Sequence, residues 1–549
     1  MNSLILILIV LVWFAIGYFV YAKFLEKKLI QPNDKNKTPA FKHKDDIDFK
    51  PSKTQFLFGH HFASIAGAGP IIGPILAVSY FGWLAVVLWI SIGTFFIGAV
   101  HDYLSLMISV KHKGEGIAKI SKKITGKKTF YVFSALLWLT LMLIITVFSV
   151  SAADSFVEMP ELVIPFFGIT LIAIFLGLAI YKLKKNKLFM SIVAVLLVIL
   201  FIYLGIKFPI QLPFETSVLK LFWITTLFLY ALIVSLVPVW LILQPRDYIS
   251  TINLFLFLIV GFVSILISRP ILNAPALIPF SLSQIPLWPI LFITVACGAV
   301  SGFHSLVASG TTSKQLDKES HGKIIGYGGM VAEGIVALLV VIFVSAGLKW
   351  GSNASGNLNF FQNALDINWI IAFGQGFANI VNSAFSFIPT SLLVILGSLV
   401  VNIFILTSLD TSTRVGRMIS SEALIKKSTF KSKLILTLAI LIPAYLIAIT
   451  NSYETLWKMF GASNQLIAGV VLIAISAYLI ERKKPIYYTL IPAIFMIITT
   501  LAALFYGLFC KTGYIFGEFN LPLIIISTIL IIFAMIVSGE ILLGMRKKN

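Results

Sequence analysis

The sequence predicts an all-α polytopic membrane protein of about fifteen transmembrane helices. Three observations lead there. Of 549 residues, 59% are hydrophobic and only 12% are charged, and the mean hydropathy is +0.99, a composition that excludes a water-soluble globule. The apolar residues fall into segments of roughly 18 to 28 residues, the length that crosses a bilayer. The net charge of +20 is confined to short connectors, which reads as membrane topology rather than nucleic-acid binding.

The first segment, Leu4 to Phe24, is long enough to span and no small-residue cleavage site follows it, so it reads as a retained helix. The second, Phe56 to Tyr80, is the anomaly: FLFGHHFASIAGAGPIIGPILAVSY holds two adjacent histidines, four glycines and two prolines. Glycine and proline interrupt a continuous helix, and a broken helix survives in hydrocarbon only where protein or a water-filled cavity satisfies its backbone. Glycines alone would equally serve close packing of neighbours; the histidines point to a functional site. The third segment covers Trp83 to Val110, and the fourth to eighth lie at 130–151, 162–181, 188–206, 217–242 and 251–268. The ninth to fifteenth lie at 289–312, 324–347, 385–408, 433–450, 461–480, 486–509 and 521–544.

Charge checks this count. Connectors after odd-numbered segments carry Lys27, Lys28 and Lys35; Lys111, Lys113, Lys122, Lys123, Lys127 and Lys128; Lys182, Lys184, Lys185 and Lys187; and Arg246. The later ones carry Lys314, Lys318 and Lys323; Arg414, Arg417, Lys426 and Lys427; and Arg482, Lys483 and Lys484, with Arg546, Lys547 and Lys548 in the tail. Connectors after even-numbered segments are poor in basic residues and include Asp154, Glu158 and Glu161. The positive-inside rule then puts the amino terminus outside and the carboxyl terminus in the cytoplasm.

The ninth segment contains CGAVSGFHSLVASGTTSK, in which Gly302, His304 and Gly310 repeat Gly59, His61 and Gly67 at one constant offset in number. The second and ninth segments cross in opposite directions, the relation that an inverted repeat requires. Few other ionisable residues fall within spans, and each is costly there without a cavity or partner. They include His101 and Asp102 in the third segment, Glu333 in the tenth and Asp410 in the run TSLDTSTR of the eleventh. His101 with Asp102 reads either as a structural pair or as a proton relay, and Glu333 either as a buried anchor or as a coupling group. Asp410 and Arg414, four apart, read as an ion pair at the cytoplasmic edge. Asn464 and Gln465 in FGASNQL either line a polar path or join helices. Cys297 and Cys510 suggest neither a disulfide framework nor a cysteine metal site.

Several runs resemble the signatures of the carbon starvation protein A family of bacterial and archaeal inner-membrane transporters. They are GHHFASIAGAGPIIGP (Gly59 to Pro74), AVHDYLSL (Ala99 to Leu106), PRDY (Pro245 to Tyr248), CGAVSGFHSLVASGTTSKQ (Cys297 to Gln315), LDTSTRVGR (Leu409 to Arg417) and FGASNQLIAG (Phe460 to Gly469). The resemblance implies a proton-coupled peptide or pyruvate transporter related to the amino acid-polyamine-organocation superfamily. That core pairs two five-helix inverted repeats whose first helices are discontinuous; here these are the second and ninth segments. The resemblance implies four helices between them, whereas the count is six. One membrane domain is expected, with a peripheral first helix and connector (1–55), a first repeat with a two-helix insertion (56–268), a second repeat (289–480) and peripheral carboxyl-terminal helices (486–549).

The mechanism expected is alternating access, with substrate at Gly59, His60, His61, Ser64, Gly67, Gly69, Gly302, His304, Ser305 and Gly310. Half-helix amino-terminal ends offer N–H groups to a carboxylate, and His101, Asp102, Glu333 and Asp410 carry the coupling proton. The expected partners are a peptide or small carboxylate, protons and the lipid bilayer, without nucleic acid and without a cofactor. Two other classes stay open: a metal-binding membrane protein or enzyme using His60, His61, His101, Asp102 and His304, and a membrane sensor that binds without transporting.

Overall fold

A computed structural model describes all residues except 46–48, 184, 239–240, 351–367, 425–428, 452, 518 and 547–549. Lys184, Lys426, Lys427, Lys547 and Lys548 of the basic connectors therefore lie outside the described residues. Among those described, the chain is helical, with two isolated β-bridges in place of any sheet.

Among the described residues, thirteen helices are long and apolar enough to cross a membrane, and each coincides with one expected segment. In chain order, and interleaved with shorter helices, they are α1 (Ser3–Ile30), α4 (Trp83–Lys111), α5 (Phe130–Glu158), α6 (Pro160–Ile180), α7 (Phe189–Lys207), α8 (Thr216–Leu236) and α9 (Pro245–Ser268). They continue with α12 (Glu319–Gly347), α14 (Thr390–Ser421), α15 (Phe430–Ala448), α16 (Thr455–Glu481), α17 (Tyr487–Phe509) and α18 (Leu521–Leu543). The second expected segment is a bent pair, α2 (Thr54–Ile65) and α3 (Gly69–Phe81), with 44° between them. The ninth is two half-length helices, α10 (Leu287–Thr294) and α11 (Gly302–Gly310). Both segments singled out as discontinuous are thus broken. The count of about fifteen becomes thirteen continuous spans, or fourteen with the bent pair.

Of the described helices with no counterpart in the sequence reading, one is longer than ten residues. α13, Trp369–Ala384, is a 16-residue helix packed on α14 and α9, and it is too short to register as a span. α14 continues to Ser421, so Asp410 and Arg414 lie on one helix, past the expected end of the eleventh segment at 408.

The chain forms two compact units. One comprises Met1–Leu6, Leu141–Ala276 and Leu339–Leu456; the other comprises Ile7–Thr140, Leu277–Leu338 and Trp457–Asn549. In the second unit, α1 presents Leu8, Ile9, Val12, Phe19 and Val20 outward, a face suited to lipid. In contrast, α16 is buried along almost its whole length.

The two broken segments lie against each other within this unit. A Cβ on Gly73 would stand 2.6 Å from the Thr294 carbonyl oxygen, and one on Gly69 would stand 2.5 Å from Cys297 Sγ. These glycines permit the approach of α3 to the end of α10. Gly73→Ala is expected to destabilise the detergent-solubilised protein by about 1–3 kcal/mol through overpacking, measured as a lowered thermal unfolding midpoint. Gly310→Ala, with nothing within 4 Å of the new Cβ, is expected to leave the midpoint unchanged.

Candidate functional site

The first break follows from its residues. The last turn of α2 closes with Ala66 N–H donating to Phe62 O at 2.8 Å, and Gly67 N–H turns back to Ile65 O at 2.8 Å. Pro70, in the first turn of α3, has no N–H to leave unpaired. Ile71 and Ile72 donate to Ala68 O at 3.1 and 2.9 Å. This interruption is therefore largely satisfied from within.

The second break, between Thr294 and Gly302, is longer and draws on its neighbours. Trp89 Nε1 of α4 donates to Val295 O at 3.1 Å, Thr94 Oγ1 donates to Gly298 O at 3.2 Å, and Trp457 Nε1 of α16 donates to Thr294 O at 3.1 Å. Thr94 opens a π-helical turn, Thr94–Gly98, inside α4. Asn464 caps α11: its Oδ1 accepts from Phe303 N–H at 2.9 Å, and its Nδ2 donates to Ser301 Oγ at 3.1 Å. Gln465 Nε2 donates to Phe292 O at 3.2 Å. Asn464 and Gln465 thus join helices. The amino-terminal end of α11, expected to face a substrate carboxylate, is partly occupied by the Asn464 side chain.

Just beyond that cap, His304 lies between two acids. Its Nδ1 donates to Asp102 Oδ2 at 2.8 Å, while its Nε2 is 3.1 Å from Glu333 Oε2. Asp102 Oδ1 also accepts from His101 Nδ1 at 2.7 Å. All four side chains are fully buried. The His304–Glu333 contact is within ion-pair distance but is not aligned as a hydrogen bond, and neither Glu333 oxygen has another partner among the described residues. With Nδ1–H committed to Asp102, an unprotonated Nε2 beside an ionised Glu333 would leave two acceptors 3.1 Å apart and out of water. A proton therefore belongs to that pair, on the imidazole or on the carboxyl.

The remaining site residues surround this centre unequally. His61 is buried on α2, with Nδ1 2.9 Å from Thr312 Oγ1, and Gly329 of α12 leaves room for its ring, since a Cβ there would stand 3.0 Å from His61 Cδ2. His60 and Gly59 are half-buried on the same helix, and the His60 carbonyl accepts from Ser64 Oγ at 2.7 Å. Ser305 Oγ donates to Gly302 O at 2.7 Å within α11. Among the described residues, no group of three or more His, Cys, Asp or Glu is arranged to hold a metal ion. Thr312, Trp89, Thr94 and Trp457 were not singled out by the sequence; an indole or hydroxyl that caps a break a hundred or more residues away leaves no local pattern.

Asp410 does not belong to this centre. It lies in the other compact unit, fully buried and ion-paired with Arg246 of the PRDY run, and its Oδ2 accepts from Tyr230 at 3.0 Å. The expected Asp410–Arg414 pair is replaced by this one. Arg414 instead donates to Val234 O at 2.7 Å and also to Val237 O, so it serves the carboxyl-terminal end of α8, where unpaired carbonyls favour a cation. Arg246, read from the sequence as a connector charge, is wholly buried; the acid beside it in PRDY was the available signal.

A sequence model of the carbon starvation protein CstA family matches residues 2–366 and 362–503. The chain is 32% identical to the peptide transporter CstA of Campylobacter jejuni, covering 89% of this chain and 78% of that one. It is 30% identical to the pyruvate/proton symporter BtsT of Escherichia coli K12, covering 92% and 82%. Among solved structures, a manganese transporter of Eremococcus coleocola crystallised with an aromatic bis-isothiourea compound aligns with a TM-score of 0.51 at 14% identity, covering 92% of this chain and 99% of that one. This last likeness is one of fold.

Asn464 gives a direct test of the second break. Asn464→Ala strands the Phe303 N–H and the Ser301 hydroxyl in a buried position, at a cost of about 1–3 kcal/mol. The expected result is a lowered unfolding midpoint followed by tryptophan fluorescence in detergent, accompanied by faster alkylation of Cys297 beside the break.

Proposed function

Because the chain belongs to the carbon starvation protein CstA family and is a multi-pass membrane transporter, we propose that it couples proton entry to uptake of a peptide or a small carboxylate such as pyruvate by alternating access. The observation that carries this reading is His304, fully buried between Asp102 and Glu333 on three different helices, directly after a break in the transmembrane path.

The charge balance gives the coupling its sign. With His101 neutral, the two carboxylates and the His304 imidazolium leave one net negative charge out of water, where an unpaired charge is heavily penalised. A further proton removes that charge. A substrate carboxylate is then no longer repelled and can approach His304, so proton and anion load together, as symport requires. For a peptide, the same acids accept its ammonium end. Substrate is held at the paired breaks, beside His60, His61, Ser64, Gly67 and Ser305, and His101 connects the centre to the cytoplasm through Asp102.

The two broken segments act as counterparts in an inverted repeat, as transporter sites at the bilayer midplane use them. In this reading the chain lies in the cell membrane with its amino terminus outside and its carboxyl terminus in the cytoplasm, a topology that the lysine-rich connectors support.

Glu333→Gln keeps the shape of the side chain and removes its proton chemistry. In reconstituted vesicles it is expected to lower pH-gradient-driven uptake of pyruvate or dialanine by about 5- to 150-fold, the range for a lost coupling of 1–3 kcal/mol. Exchange of labelled for unlabelled substrate, which needs no net proton movement, is expected to persist. Equal loss of both activities would assign Glu333 to binding or folding rather than to coupling.

A further inference from the structure

Beyond the buried centre, the connector that leads into α2 is fastened to the connector that leaves α11. The Asn33 N–H and Asn36 Nδ2 donate to the two oxygens of Glu319 at 2.8 and 3.2 Å. In the reverse direction, Ser320 donates through its N–H and its hydroxyl to the two oxygens of Asp34, at 2.9 and 2.7 Å. The hydroxyl, with the backbone N–H second, holds the Asp34 carboxyl below its ordinary range. Nearer the helices, Thr54 Oγ1, at the first residue of α2, is 2.8 Å from His321 Nδ1, and Ser52 N–H donates to Gln315 O at 3.0 Å.

These contacts have three properties of a gate. They join the same end of both broken segments, and all belong to one compact unit. They are reciprocal, with each connector supplying a carboxylate that is doubly bonded by the other, which fixes register as well as proximity. Asp34 and Ser320 are exposed, so water can replace their hydrogen bonds when the connectors part. Both connectors follow odd-numbered segments and carry the lysines of the cytoplasmic side, Lys35 and Lys318 among them.

We propose that residues 31–38, 52–54 and 315–321 form the cytoplasmic gate of the transporter, closed in this structure, with the Asp34–Ser320 and Asn36–Glu319 contacts as its clasp. Parting the clasp frees the cytoplasmic ends of α2 and α11 to separate and release substrate. The proposal rests on the transport reading above.

Cross-linking tests it in the full-length protein. In a Cys510→Ser background, with the buried Cys297 left in place, Asp34→Cys and Ser320→Cys are combined, and vesicle uptake of labelled pyruvate and dialanine is measured before oxidation, after it and after reduction. The expected result is uptake that falls at least tenfold on disulfide formation and returns on reduction. Undiminished uptake through a quantitatively cross-linked pair would overturn the gate and leave the transport reading intact. No uptake of either probe by the unmodified protein would overturn the transport reading and the gate with it. Thr54→Cys with His321→Cys repeats the test at the second contact should the first pair fail to fold, and the same outcomes apply.

Discussion

Breaking a helix inside hydrocarbon exposes backbone groups that no lipid can satisfy, and the second unit is arranged around that constraint. The shorter break at Ala66–Ala68 turns its amides onto its own carbonyls. The longer break, from Val295 to Ser301, takes partners from α4 and α16: two indoles, a threonine hydroxyl and the Asn464 carboxamide. Those two helices are correspondingly buried and rich in polar side chains, and α3 closes on α10 through glycines with no side chain to spare. The unusual composition of 56–80 and 289–312 is the local expression of one requirement, that two interrupted helices stay together in a solvent that gives them nothing.

The same requirement decides where charge is placed. His304 follows immediately after the capped turn, so the best-fixed part of α11 carries the imidazole into contact with Asp102 and Glu333. Two carboxylates and two imidazoles, His101 included, are all out of water, so the charge of the cluster is set by the protons it holds. The buried charges of the other unit are arranged differently. Arg246 is paired with both Asp410 and Asp247, and Arg414 is directed to the carbonyls at the end of α8. In that cluster bases are matched by acids and backbone, which fixes helices to one another and leaves no comparable deficit. A buried histidine held between two acids is found, among the described residues, in the unit that holds the broken helices.

Much of this was legible in the sequence because it depends on local pattern. Apolar length found every span among the described residues, glycine with proline marked the first break, and the match of Gly302, His304 and Gly310 to Gly59, His61 and Gly67, together with the family resemblance, marked the second. Charge inside an apolar run marked Asp102 and Glu333. What was not legible depends on tertiary neighbours. α13 is short and mixed in character, so span length passes over it. Asp410 seemed paired with Arg414 because i,i+4 spacing is visible in sequence, whereas Arg246 lies 164 positions away in a run that reads as a loop. The roles of Trp89 and Trp457 required knowing which carbonyls the break had freed.

The central claim is that protons move with substrate through the His304 centre. Its most direct test is the internal pH of vesicles that contain the wild-type protein and a trapped pH-sensitive dye, followed while pyruvate or dialanine is added outside with no imposed gradient. The account predicts that the interior acidifies as substrate enters, and that the acidification disappears in His304→Gln vesicles. Substrate accumulation by the wild-type protein with no change in internal pH would contradict it.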